Sequence, residues 1–227
     1  WARAHADIAQ FEQDLAEMID RYVQADGSSN EGVGYWGATF RCTLTALAAL
    51  ARYHGKPLRE LVAPKLDLMW NFLAPLLSTA DEAGTFLPIA DTSSNLLAWD
   101  VIGMAAACLQ PAAWQNLLAA CLNGGKTRMI ANEFMFDGPM TVIYGPDNPG
   151  EASIDVPVFR RLDTAGMITS NRPWTSPASS GAAGRRDTVR LHLVGSMANA
   201  GHCHPDKGSF ILEAFGEVFA GDRGVTP

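Results

Sequence analysis

Histidine is scarce in this chain, with five in 227 residues, and cysteine scarcer still, at four. Cys42, Cys108, Cys121 and Cys203 include no pair at metal-knuckle spacing, and no disulfide framework is expected. The first three lie in apolar helical stretches, where a small buried thiol is the plain expectation. No run is long and apolar enough to span a bilayer. Basic residues are outnumbered, 17 Lys and Arg against 24 Asp and Glu, for a net charge of −7. An acidic surface repels phosphate backbones, so no nucleic-acid partner is expected. The same charge argues mildly against a heavily sulfated ligand, although a basic cleft can sit on an acidic protein. What is present is an ordinary globular balance, 48% hydrophobic and 18% charged. The length suits one large domain or two modest ones. The chain opens at Trp1 without an initiator methionine or signal peptide and stops at "GDRGVTP", which reads as a piece of something longer.

Helical patterning fills the first two thirds. "HADIAQFEQDLAEMIDRYV" sets Ile8, Phe11, Leu15, Met18, Ile19 and Tyr22 at helical spacing. "DGSSNEGVGYWG" reads as a glycine-rich interruption, and "TFRCTLTALAALARYH" as a helix apolar nearly all round, ended by Gly55 and Pro57. Further helices are expected near 58–78, 95–109, 111–123 and 126–136, the first broken or kinked at Pro64 and Pro75. "STADEAGTFLPIADTSS" is too long for a mere connector. Repeated helices joined by loops point to a bundle, solenoid or toroid. Near residue 140 the character changes. "YGPDNPGEASIDVP" reads as a linker, and the patterning after it has period two. "VFRRLDTAGMITSNR" can supply one or two strands, "DTVRLHLVGS" one, and "SFILEAFGEVFAGD" two about a turn. The expected organisation is a helical part over 1–140, a linker over 141–155 and an antiparallel β part over 156–227. So small a sheet would leave unpaired edges, which suggests partner strands beyond Pro227.

Two of the five histidines crowd into "GHCHPDKGSF". In extended chain His202 and His204 would point the same way, and His-x-His spacing suits a metal, a proton-transfer site or an ordinary polar loop. Asp222 ends the following hairpin, which returns its end to its start, so His204 with Asp222 is a plausible ligand pair. None of His5, His54 or His192 is obviously placed as a third. "EGVGYWGATF" sets Tyr35 and Trp36 among glycines before a helix. These aromatics could plug a core. Alternatively they could line a cleft that takes a sugar ring, with a tyrosine hydroxyl able to move a proton.

Taken together, "EGVGYW" entering a helix and "GHCHPDKGSFILEAFGEVFAGDRG" far downstream resemble the heparinase II/III-like family of polysaccharide lyases. The family's sandwich motif, His-x-His-x-Asp-x-x-Ser-Phe followed by Gly and Asp-x-Gly, reads here as His202, His204, Asp206, Ser209, Phe210, Gly216, Asp222 and Gly224. The match is close over 31–40 and 199–224 and one of layout elsewhere. The resemblance implies an α+β multidomain fold, α/α-toroid helices followed by antiparallel β-sandwich strands, incomplete at both ends. An asparagine or histidine that the family draws from a toroid helix would precede Trp1, and a further metal-binding histidine would follow Pro227. Asn95 is not in a matching context. "GATF" stands where many relatives carry another aromatic.

The implied reaction is β-elimination on a 4-linked uronic acid, in an acidic polysaccharide such as a glycosaminoglycan or alginate. The resemblance makes Tyr35 the general acid, and also the base where proton and leaving group share a face. It makes His202 the base or the neutraliser of the uronate carboxyl, and Trp36 a substrate contact. His204 and Asp222 would hold a structural zinc or similar divalent cation, with Asp206 orienting the loop. It also implies a periplasmic or extracellular bacterial setting. Two other readings stay open: a glycan-binding or structural relative without turnover, and a metal-dependent glycan hydrolase built on the two histidines.

Overall fold

The computed structural model describes residues 2–62, 64–79, 86–92, 99–109, 112–122, 157–173, 188–195, 201–202, 204 and 206–222. The expected linker over 141–155 and the expected helix over 126–136 lie outside the described residues. Among the described residues six α-helices come first: α1 (Ala2–Tyr22), α2 (Gly32–His54), α3 (Pro64–Leu68), α4 (Trp70–Leu73), α5 (Trp99–Cys108) and α6 (Ala112–Leu122). Five strands follow: β1 (Phe159–Leu162), β2 (Met167–Pro173), β3 (Thr188–Val194), β4 (Ser209–Ala214) and β5 (Glu217–Ala220). The molecule is thus an α+β mix, helices and then an antiparallel sheet. No described helix is long and apolar enough to cross a membrane.

The apolar stripe of α1 turns Leu15 and Ile19 inward. Two side-chain pairs from its solvent side tie it to α2: His5 Nδ1 with the Tyr53 hydroxyl at 2.6 Å, and Glu12 with His54. Residues 26–31 interrupt the helices as expected, but α2 starts at Gly32 and runs through the second half of the glycine-rich stretch. One stripe of it is buried, Val33, Trp36, Phe40, Leu44, Leu47 and Leu50. Its other side is wet, and Cys42, expected as a buried thiol, is exposed there. The segment expected as one kinked helix over 58–78 is four short turns: a 3₁₀ turn at Leu58–Glu60, α3, α4 and a 3₁₀ turn at Ala74–Leu76. Pro64 opens α3, where its missing N–H costs nothing, and Pro75 falls within the second 3₁₀ turn.

The sheet is a simple meander in the order β1-β2-β3-β4-β5, every pair antiparallel. The last hairpin turns at Phe215 and Gly216, both at positive φ, as a tight two-residue connection requires. Leu162, Met167, Val194 and Ile211 join the helical core. That same inner face also carries Thr169, Asn171, Arg190, His192 and Glu213, all buried. The outer face runs through Phe159, Leu193 and Phe210, each exposed, with Phe219 exposed on β5. The usual polarity of a half-covered sheet is therefore partly inverted, with polar groups inside and apolar ones outside.

Polar groups need partners when buried, and here several of the partners come from the segment before the sheet. Glu213 accepts hydrogen bonds from Ser78 Oγ at 2.5 Å, Thr79 N at 2.7 Å and Thr79 Oγ1 at 2.8 Å. Its cross-strand neighbour Arg190 donates to Asn171 Oδ1 at 2.6 Å and to the Leu77 carbonyl. Arg160 on β1 donates to Asn71. These bonds pin strands β3 and β4 against residues 77–79. The loop between β3 and β4 carries His202 and His204, so the same bonds set where the histidines lie relative to the helices.

Candidate active site

Three chain segments meet at the seam between the helices and the sheet. The first is the N-terminal turn of α2. Gly32 and Gly34 belong there because residues 89–92 press directly on them. A Cβ on Gly34 would lie 2.7 Å from the Asp91 carbonyl oxygen, and one on Gly32 would lie 2.7 Å from the Ile89 carbonyl oxygen. Gly32 also has φ +76°, which a side chain would strain. The contact is sealed by the Gly34 N–H, which donates to Thr92 Oγ1 at 3.0 Å. Helix propensity alone disfavours these glycines; the close approach of a second backbone requires them.

That second segment delivers Asp91. Its N–H donates to the His202 carbonyl at 3.2 Å, joining it to the third segment, the β3–β4 loop. The Asp91 side chain faces both histidines of that loop. Oδ2 lies 2.9 Å from His202 Nδ1, and Oδ1 lies 2.7 Å from His204 Nε2. Burial pushes the Asp91 carboxyl up, but the hydrogen bonds and charges of His202 and His204 outweigh it and hold it below the usual carboxylate range. His204 Nδ1 sits 3.5 Å from Asp206. Burial, and then the charge of Asp222, raise the Asp206 carboxyl, partly offset by His204. Asp222 is therefore near this loop, as the β4–β5 hairpin requires. On the other side, a Cβ on Gly201 would meet the Glu31 carboxylate at 3.2 Å.

Tyr35 and His202 come together. Their rings stack with centroids 3.4 Å apart and planes 16° from parallel. Both are partly open to solvent, with the His202 side chain 42% exposed. A phenol and an imidazole, one from α2 and one from a loop some 167 positions later in the sequence, thus stand side by side at an accessible seam.

Trp36 does not join them. It is 1% exposed, and its ring stacks on Phe40 and Trp114 in the helical core. Neighbouring residues on a helix point about 100° apart, so once Tyr35 faces the seam Trp36 must face inward. Trp36, expected as a substrate contact, thus lies in the core, and its indole N–H has no partner among the described residues. On the outer side of α1 and α2 His5 pairs with Tyr53 and His54 with Glu12, and His192 lies in the sheet core against Thr169 Oγ1 at 2.7 Å.

Zinc on His204 and Asp222 remains an expectation, with a further ligand expected beyond Pro227. Among the described residues no three His, Cys, Asp or Glu side chains are placed to hold a metal ion. The two ring nitrogens of His204 face Asp91 and Asp206.

Asp91 is the residue that sequence reasoning missed. The signal available for it was the unusual length of the loop that contains it, "STADEAGTFLPIADTSS", which marked a functional segment without singling out a side chain.

No protein-family model matches this chain, and no curated protein sequence does. Solved structures do. A heparan sulfate lyase HepC from Pedobacter heparinus is similar at TM-score 0.59 and 17% identity, over 93% of this chain and 28% of that one. A mutant of the same lyase gives the same TM-score and identity over 94% and 28%. This chain therefore spans little more than a quarter of the length of those lyases. At this identity the similarity is one of fold, that of a distant polysaccharide-lyase-like arrangement of helices and sheet.

Proposed function

We propose that this chain carries the proton-transfer centre of a polysaccharide lyase that cleaves a 4-linked uronic acid by β-elimination. The observation that supports this most is the stacking of Tyr35 on His202 at the seam, with His202 held from behind by Asp91. Elimination needs one group to take the C5 proton and one to protonate the leaving O4. The C5–H and C4–O bonds break, and a C4–C5 double bond forms. Tyr35 is the general acid, and also the base where both events share a face of the sugar. His202 is the base, or neutralises the uronate carboxyl, where they do not. With Nδ1 turned to Asp91, the other ring nitrogen of His202 is the one available for this work.

The substrate class is an acidic polysaccharide containing uronic acid, a glycosaminoglycan or alginate. The similarity in fold to heparan sulfate lyases supports this reading and the periplasmic or extracellular setting that goes with it. The fuller architecture follows in the same reading. The helices form part of an α/α-toroid, and the exposed apolar face of the sheet is the inner face of a β-sandwich.

The test is spectroscopic. A lyase product has a double bond conjugated to the uronate carboxyl and absorbs in the near ultraviolet, whereas a hydrolase product does not. The intact protein is expected to generate that absorbance on at least one of a panel of uronate polymers. Reducing ends appearing without absorbance would replace the lyase by a hydrolase. Binding without either would leave a glycan-binding relative.

A further inference from the structure

We infer that Asp91 is the positioning residue of this centre: its carboxylate locks His202 with the proton on Nδ1, and anchors His204 through its second oxygen. The inference rests on the lyase reading only for its kinetic consequence. An ionised carboxylate accepts hydrogen bonds and donates none. The nitrogens facing it, His202 Nδ1 at 2.9 Å and His204 Nε2 at 2.7 Å, must therefore carry hydrogens. In a neutral His202 ring this leaves Nε2 with its lone pair free.

Three further observations show that the arrangement is built. The backbones are bonded at the same place, Asp91 N–H to the His202 carbonyl. Both sides of the contact hold residues other than glycine in the left-handed region, Ala90 at φ 52° and His202 at φ 56°. Such conformations are strained and persist where surroundings enforce them, often at functional sites. Finally, Gly32 and Gly34 admit the 89–92 backbone to the α2 terminus, so Tyr35 and Asp91 are placed by one contact. Tyr35 covers the His202 ring face while Asp91 holds its edge, which leaves the imidazole few ways to turn.

The experiment uses the intact protein with ¹⁵N-labelled histidine side chains, read by NMR at a pH where the rings are neutral. Wild type is expected to show His202 as the Nδ1–H tautomer. Asp91→Ala is expected to release it to the Nε2–H form that free imidazole side chains favour. In the ultraviolet assay the same variant should lose roughly 100-fold in kcat, the scale of a misplaced reacting group, with KM nearly unchanged. A wild-type His202 protonated on Nε2, or an Nδ1–H signal unaltered by Asp91→Ala, overturns the inference. The wild-type spectrum needs no variant, so misfolding of Asp91→Ala cannot obscure the result. Should the tautomer follow Asp91 while no uronate polymer yields absorbance, the lyase reading falls and the positioning role stands. Should absorbance appear while the tautomer ignores Asp91, the reverse holds.

Discussion

Removing the Glu213 carboxylate should loosen the sheet from the helices. Glu213 is 1% exposed and takes three hydrogen bonds from Ser78 and Thr79, while buried Arg190 lies directly across from it on β3. Glu213→Ala would strand three buried donors, at about 1–3 kcal/mol each where water cannot replace the acceptor. It would also take the opposing charge from beside a buried guanidinium. Some water will enter the space left behind, so the net expected loss is about 3–5 kcal/mol, the usual scale for breaking a buried charged cluster. For a domain of this size that lowers Tm by roughly 6–20 °C. Glu213→Gln keeps the shape and one acceptor oxygen, and should cost about 1–2 kcal/mol. Denaturant unfolding of wild type and both variants, with equal m-values, measures this directly. Activity should fall as well, because β3 and β4 are the rails of the His202 loop and their anchorage to residues 77–79 sets its distance from Tyr35. A Glu213→Ala protein within about 1 kcal/mol of wild type would refute the idea that this carboxylate fastens the two parts.

Other expectations follow from the same geometry. Tyr35→Phe should keep substrate binding and lose about 10²–10⁴ in kcat, the range for a positioned proton-transfer group; unchanged turnover would remove Tyr35 from the mechanism. Gly34→Ala should raise helix propensity by up to about 1 kcal/mol yet cut turnover by more than about tenfold, because its Cβ would lie 2.7 Å from the Asp91 carbonyl. A variant both active and stabilised would show that the close approach is dispensable. His192 is held down to about 3, from 6.5, first by burial and then by the charge of Arg190. Its neutral form is the folded one, so its contribution to stability is complete above about pH 6.5 and is lost as pH falls towards 3, at about 1.4 kcal/mol per unit. Replacing His192 with Gln should flatten acid unfolding in that window, and an unchanged slope would assign the acid sensitivity to other groups.

Much of the local structure was legible in the residues because it depends on neighbours a few positions away. The helical spacing of Leu15 and Ile19, the alternation in "DTVRLHLV" and the two-residue turn at Phe215 and Gly216 each follow from a repeat of about 3.6 or 2 and from turn chemistry. The same local rules failed at 32–38. A glycine-rich stretch looks like a break in a helix, and only a distant backbone lying against Gly32 and Gly34 shows why the helix runs through it. Tyr35 and His202 were singled out by the resemblance of the motifs around them to a known family, since the residues alone left a core-plugging aromatic and a polar loop open.

What tertiary structure decided is orientation and company. A helical repeat says that Tyr35 and Trp36 point different ways, but not which one faces the seam; the packing of Phe40 and Trp114 draws Trp36 inward. Period two says that Val189, Leu191 and Leu193 share a face, but not that the opposite face, with Arg190, His192 and Glu213, is the one covered by helices. Asp91 lies 111 residues from His202, in a segment without periodicity, and nothing near it in the sequence distinguishes it from the other acidic residues. Local pattern specifies which side chains share a face. Which face is buried, and which loop meets which, is fixed by contacts between remote segments, because only the folded chain brings their donors, acceptors and apolar surfaces within reach of one another.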